Sequence, residues 1–202
     1  MSFWELFVSQ WQQQSMGEIC AVILAVCYVW LAGKESLWCW PAGFLSTALY
    51  AYIYWDVNLV FQMILNVYYM GMAVWGLISW QKQGSNKVRI TKMNWLDHLY
   101  TLGLGGAGTL IVYLIARQWL HYELVLIDIS LTVFSLIATY LTVRKKLENW
   151  IYWSLINSSS IILLLEKQLY PTILLMIVYL ILAIRGYVYW SKVYSEENAN
   201  DC

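Results

Sequence analysis

The sequence predicts an all-α integral membrane protein of seven transmembrane helices, and three observations carry that prediction. Of its 202 residues, 61% are hydrophobic and only 12% are charged, about half of the roughly 25% charge that soluble domains carry. Apolar runs of about 18 residues or more recur along the chain, each long enough to cross a hydrocarbon core of roughly 30 Å. Lysine and arginine fall between those runs in alternating density, the signature of a chain that crosses a bilayer repeatedly.

In chain order, residues 1–16 come first. Phe3, Trp4, Phe7, Val8 and Trp11 fall near helical spacing among Glu5, Gln10 and Gln12. The segment is too short and mixed to span, so it is expected to lie on the bilayer as an interfacial helix. Spans at 17–33, 37–55 and 57–80 follow and make up a first three-helix unit, residues 17–80. Residues 81–121 form a connector that includes a fourth span, 97–116. Spans at 122–143, 148–165 and 170–190 make a second unit, 122–192, and residues 193–202 read as a polar, frayed cytoplasmic tail. The N-terminal residues have no basic segment ahead of a short apolar stretch, so no cleavable signal peptide is expected.

Lys34, then Lys82, Lys87, Arg89 and Lys92, then Arg144, Lys145 and Lys146, and finally Arg185 and Lys192 all fall on one side of a seven-span chain. Only Arg117 and Lys167 fall on the other. The positive-inside rule therefore places the N-terminus outside and the C-terminus in the cytoplasm. Trp38, Trp40, Trp55, Trp80, Trp95, Trp119, Tyr122 and Trp190 stand at span ends, as an interfacial aromatic belt would.

A single constant shift superposes the two units without a gap. It brings Gly76 onto Gly186, Trp80 onto Trp190, Trp40 onto Trp150 and Tyr69 onto Tyr179, and it matches charge at Asp56 with Glu166 and Lys34 with Arg144. Leucine matches are cheap in apolar sequence; the Gly, Trp and charged ones are not. The pattern reads as a 3+1+3 parallel-repeat arrangement with the fourth span as connector, a plan in which transporters place their site near the midplane between repeats.

Polar side chains inside hydrocarbon are site candidates by default. Gln62 and Asn66 share one face of the third span, with Tyr69 on the same face. Trp150, Trp153 and Asn157 share one face of the sixth. Amides offer donors and acceptors, and Trp and Tyr faces attract a cationic ring. The repeat is broken at these positions: Asn157 aligns with Thr47, Trp153 with Gly43, and Asn66 with Met176. An asymmetric ligand fits that break. For each residue a plainer reading stands beside this one. Gln62 and Asn66 could bond across helices as packing glue, Trp150 could belong to the belt, and Asp128, near the outer entrance, could be a solvated helix-end charge.

Gly103, Gly105 and Gly108 spell G-x-G-x-x-G without the preceding strand that a dinucleotide site requires, so they read as a close-approach surface. His98 and His121 have no ligand-spaced partners, and Cys20, Cys27, Cys39 and Cys202 form neither a CxxC nor a framework. No metal site, cofactor or nucleophile–base pair is expected, which weighs against a membrane-embedded enzyme. Equal numbers of basic and acidic residues give no support for a nucleic-acid partner. With no acidic or histidine relay near the midplane, uniport is expected over proton coupling.

The stretches W-P-A-G-F-L-S-T-A-L-Y-A-Y-I-Y (Trp40 to Tyr54), L-V-F-Q-M-I-L-N-V-Y-Y-M-G-M-A-V-W-G-L-I-S-W (Leu59 to Trp80) and N-W-I-Y-W-S-L-I-N (Asn149 to Asn157) resemble the bacterial PnuC transporters, as does the G-Y-V-Y-W ending of the last span. The likeness covers about residues 17–192. It implies uptake of nicotinamide riboside across the inner membrane by facilitated diffusion, trapping by cytoplasmic phosphorylation, a SWEET-like helix plan and a homotrimer. It also implies a binding role for Gln62, Asn66, Trp150, Trp153 and Asn157, with Tyr69 and Asp128 as secondary candidates. Relatives on the same scaffold carry other vitamins such as thiamine, also a cationic aromatic, and stacking alone does not separate the two. A non-selective pore is the remaining alternative, which saturable uptake would exclude.

Overall fold

The structure is a computed structural model that describes residues 3–82, 88–118 and 125–200. Lys87, Trp119, His121, Tyr122 and Cys202, together with the start of the fifth predicted span, lie outside the described residues. Among the described residues there are eight helices: α1 (Phe3–Gln12), α2 (Met16–Gly33), α3 (Cys39–Asp56), α4 (Val60–Trp80), α5 (Trp95–Ala116), α6 (Val125–Val143), α7 (Asn149–Glu166) and α8 (Tyr170–Asn200). Five of them, α2, α4, α5, α6 and α8, are long and apolar enough to cross a membrane. The other two long helices, α3 and α7, carry the Trp, Tyr, Ser and Asn residues that lower their hydropathy.

Local chemistry sets the helix ends. Ser15 and Glu18 close a capping box on α2, Glu18 N–H donating to Ser15 Oγ at 3.2 Å and Ser15 N–H to Glu18 Oε2 at 2.6 Å. Asn94 and Asp97 do the same for α5 at 2.8 and 3.1 Å. Each box satisfies amides that a helix start leaves orphaned. Four helices stop at a residue in the left-handed region: Glu35 after α2, Asn58 after α3, Lys145 after α6 and Gln168 after α7. In each case the following N–H turns back to a carbonyl five residues earlier, as in Ser36 to Leu31 (3.0 Å) and Lys146 to Leu141 (2.9 Å), or Leu59 to Tyr54 (2.8 Å) and Leu169 to Leu164 (3.1 Å). These are Schellman-type stops made without glycine. They recur in pairs under the shift that relates the two units, Glu35 with Lys145 and Asn58 with Gln168.

Six helices form a closed ring in the order α2, α3, α4, α6, α7, α8 and back to α2. Helix α5 stands outside it against α6, and α1 rests on α8. Gly105 of α5 lets Phe134 of α6 approach, since a Cβ there would lie 2.4 Å from the ring, and Gly108 faces Val133. The glycine-rich motif is thus a close-approach surface, although Gly103 faces open space.

Four indoles join the two halves of the ring. Trp40 meets Trp80 edge-on at 5.0 Å, Trp80 lies 5.9 Å from Trp190, and Trp190 meets Trp150 edge-on at 5.4 Å. Trp80 Nε1 donates to Val143 O at 3.0 Å at the end of α6, and Trp190 Nε1 donates to Ala32 O at 3.1 Å at the end of α2. Each indole thereby satisfies a terminal carbonyl of the opposite half. Beside them Lys145 Nζ and Glu35 Oε2 pair at 2.6 Å, and the ammonium also stands 4.6 Å over the Trp80 ring.

Two sequence expectations need correction here. Trp40, Trp80 and Trp190 are buried core residues, not belt, because their rings fill the inter-half contact; Trp38, Trp55 and Trp95 are exposed as a belt requires. The last helix does not end near residue 190 in a frayed tail but continues to Asn200. Its polar turns are held by Ser195 Oγ on Ser191 O (3.0 Å) and a Lys192–Glu196 pair at 3.8 Å. Helix α1 is also tied to the helix ring. Gln10 Nε2 donates to Gln168 O at 2.8 Å and Gln10 Oε1 accepts from Tyr170 N–H at 3.2 Å, which pins α1 to the turn before α8.

Candidate substrate cavity

The ring encloses a cavity of about 370 Å³ to which all six of its helices contribute side chains. That volume lies within the ~300–1,000 Å³ usual for small-molecule sites. Trp40 and Trp150, which belong to the indole cluster, also line the cavity, and no lining residue carries a formal charge. Seven of the lining side chains are aromatic: Tyr28, Trp40, Tyr50, Tyr69, Trp150, Trp153 and Tyr179.

Asn157 is the most informative of the lining residues. It lines the cavity from α7, is 4% exposed, and its side chain makes no hydrogen bond to any described residue. Its amide is not among the buried, unpartnered polar atoms of the described residues, so it opens onto the cavity, where its donors and acceptor are available to a ligand. One turn below it on α7, Trp153 Nε1 donates to Thr142 Oγ1 on α6 at 3.3 Å. That Thr142 oxygen is held in turn near Ala138 O (2.9 Å) and Asn149 Oδ1 (3.1 Å), while Asn149 Nδ2 donates to Lys146 O at 2.6 Å. The Trp153 ring is therefore held in place by α6 where it lines the cavity.

The other predicted residues fall in three groups. Asn66 and Tyr69 line the cavity from α4, but Asn66 Nδ2 is already committed to Gln62 O at 2.8 Å, so Asn66 offers chiefly its amide oxygen. Trp150 lines the cavity and is 2% exposed; its ring packs on Gly186, where a Cβ would lie 2.7 Å away, and its Nε1 is buried without a partner. Gln62 and Asp128 are not brought into the cavity. Gln62, one turn before Asn66 on α4, is exposed, and Asp128 faces Lys167 at 3.7 Å between the start of α6 and the end of α7.

Sequence reasoning missed Tyr28, Tyr50, Tyr179 and the hydroxyls of α6. Tyr28 fills the space left by Gly43, a Cβ at Gly43 lying 2.8 Å from its ring. That places an aromatic ring from α2 at the level where the other half uses Trp153. The i, i+4, i+7 spacing of Ser135, Thr139 and Thr142 was a legible signal: it puts three hydroxyls on one helix face.

Among known families, the one described as nicotinamide mononucleotide transporter matches residues 15–192. The chain belongs to the PnuC family. Among PnuC relatives, the nicotinamide riboside transporter PnuC of Neisseria mucosa is 26% identical over 196 residues, covering 88% of this chain and 72% of the relative. The transporter of the same name from Escherichia coli K12 is 22% identical over 200 residues, covering 86% and 84%. The crystal structure of a vitamin B3 transporter PnuC superposes with a TM-score of 0.74 at 22% identity, over 96% of this chain and 90% of that one. The PnuC fold is thus shared along almost the full chain.

Proposed function

We propose that this PnuC-family protein carries nicotinamide riboside across the bacterial cytoplasmic membrane, with Asn157 and Trp153 as the principal contacts, Asn66, Trp150 and Tyr69 around them, and Gln62 near the outer mouth. The single observation that carries the reading is a closed ring of helices around an uncharged, aromatic-walled cavity with one free amide, Asn157, inside it. Aromatic faces stabilise a cationic ring where no carboxylate is present, and the carboxamide of such a ring complements the amide of Asn157. The family's description names the mononucleotide. A phosphate in this cavity would meet no cation, since Lys145 is 6% exposed and paired with Glu35 outside it. Unpaired burial of a charge is prohibitive, which favours the unphosphorylated riboside.

The two helix triplets, residues 17–80 and 122–192, form two parallel three-helix repeats with α5 as connector, seven spans in all, the N-terminus outside. The paired left-handed stops at equivalent positions of the two triplets and the matched Trp–Gly contacts support this arrangement. Transport is uniport, no acidic or histidine side chain lining the cavity to relay a proton, and phosphorylation in the cytoplasm traps the product. The apolar outer faces of the ring and α5 suit lipid and a homotrimeric contact.

Calorimetry on the detergent-purified protein tests the assignment, with nicotinamide riboside, thiamine and nicotinamide mononucleotide as ligands. Saturable binding of the riboside alone is expected. Binding of thiamine instead would move the cargo to another vitamin, and binding of the mononucleotide would refute the charge argument.

A further inference from the structure

The first helices of the two repeats differ in the polarity they present to the cavity, which Ser46, Thr47 and Asn66 of the first repeat also line. Helix α6 presents Ser135 and Thr139, and the equivalent positions of the first repeat, on α2, are Ala25 and Val29, which line the cavity without a polar side-chain atom. Ser135 Oγ donates to Leu131 O at 2.7 Å and Thr139 Oγ1 donates to Ser135 O at 2.8 Å. Each hydroxyl proton is thus spent on the helix backbone, the ordinary way a membrane helix satisfies such groups. What remains toward the cavity is oxygen lone pairs, so the two side chains act there as acceptors. The Tyr69 hydroxyl stands close enough to Ser135 to interact with it directly, so Ser135 Oγ keeps at most one lone pair for a ligand.

From the rise of about 1.5 Å per residue, Thr139 stands near the level of Trp153 and Ser135 near that of Asn157. The bond between Thr142 Oγ1 and Asn149 Oδ1 at the turn between α6 and α7 fixes that register, and the Trp153 ring reaches back one turn to Thr142. Three functions are therefore separated around one cavity: an aromatic face, a free amide and a strip of acceptors. Sugar hydroxyls are donors, and a ligand with a ring at Trp153 and its carboxamide at Asn157 has hydroxyls left to satisfy.

We infer that Ser135 and Thr139 form a sugar-reading strip that accepts hydrogen bonds from the ribose hydroxyls of the transported nucleoside and selects it over sugar-free cationic rings. This rests on the nucleoside reading proposed above. Thr132 supplies an internal control: its hydroxyl is bonded in the same way to Asp128 O at 3.0 Å, but it lies outside the cavity.

The test is calorimetric titration of the full-length protein with nicotinamide riboside, its 2′,3′-dideoxy analogue and N-methylnicotinamide, a cationic ring without sugar. Wild-type protein is expected to bind the riboside at least about tenfold more tightly than either of the others, as two buried hydrogen bonds of ~1 kcal/mol each imply. The paired variant S135A/T139V is expected to lose that preference while holding N-methylnicotinamide unchanged, and T132V is expected to behave as wild type. Equal binding of riboside and dideoxy analogue by the wild type would overturn the strip without needing any variant to fold. Retention of the preference by S135A/T139V, or an equal loss for all three ligands, would overturn it as well. Absence of binding for every ligand by folded wild-type protein would instead bring down the nicotinamide riboside reading on which the strip depends.

Discussion

Replacing Gly76 by alanine adds one methyl group where the chain has no room for it. The new Cβ would lie 2.4 Å from three atoms of the Trp40 ring, a ring that is 1% exposed and held edge-on against Trp80 at 5.0 Å. Ordinary carbon contact begins near about 3.5 Å, so the indole must retreat by about 1 Å toward Trp80 and Tyr28, the rings it packs against. Overpacking of this kind costs about 1–3 kcal/mol. Against that stands the usual gain of about 0.5–1 kcal/mol when a mid-helix glycine becomes alanine. Gly103 isolates the gain, because nothing lies within 4 Å of a Cβ there. G103A should therefore be neutral or slightly stabilising, G76A destabilising, and the two separated by the overpacking cost alone, about 1–3 kcal/mol. G186A, whose Cβ would stand 2.7 Å from Trp150, should fall on the G76A side. Thermal unfolding of the three variants in one detergent at one scan rate gives the ranking. If G76A and G103A unfold at the same temperature, the indole cluster is not the rigid contact described above.

Three further outcomes are expected. N157L should fold at the wild-type level and weaken riboside binding by about tenfold or more, the value of a lost buried amide contact; unchanged uptake at unchanged expression would remove Asn157 from the site. K145M and E35M should each lower thermal stability clearly, because a lone buried charge is left behind, whereas the K145M/E35M pair should recover most of the loss; equal losses in single and paired variants would show that the 2.6 Å ion pair has no coupling. Q10A removes both bonds to the turn at Gln168–Tyr170 and should speed limited proteolysis in residues 1–15 while leaving the rest protected; an unaltered cleavage rate would show that lipid, not Gln10, holds α1.

Much of the helix layout was legible because apolar length and charge punctuation are local properties, and helix ends differed from expectation by only a few residues at α4 and α5. The two capping boxes could have been read from Ser15–Glu18 and Asn94–Asp97. The left-handed stops could not, since Glu35, Lys145 and Gln168 have no intrinsic preference for that conformation and adopt it through tertiary packing. At the site, Asn157, Trp153, Asn66 and Tyr69 were found because a polar or aromatic face stands out in an apolar helix. Gln62 shares that face by spacing, yet it is exposed and does not line the cavity, because periodicity fixes a helix face and not how far along the helix a cavity reaches. The burial of Trp40, Trp80 and Trp190 was missed for the same reason: position at a span end suits a lipid interface and an inter-helix contact equally well.

Glu35 and Lys145 occupy matching positions in the two halves and face each other. Two copies of residues 17–80 brought together in the same way would set glutamate against glutamate, and two copies of residues 122–192 would set lysine against lysine. Either self-pairing carries a buried like-charge repulsion that the native pairing replaces with attraction. The halves have thereby become complementary objects. A separately expressed first half should decline to dimerise with itself and assemble only with the second, so that the covalent connector supplies proximity while a single opposed charge supplies the choice of mate.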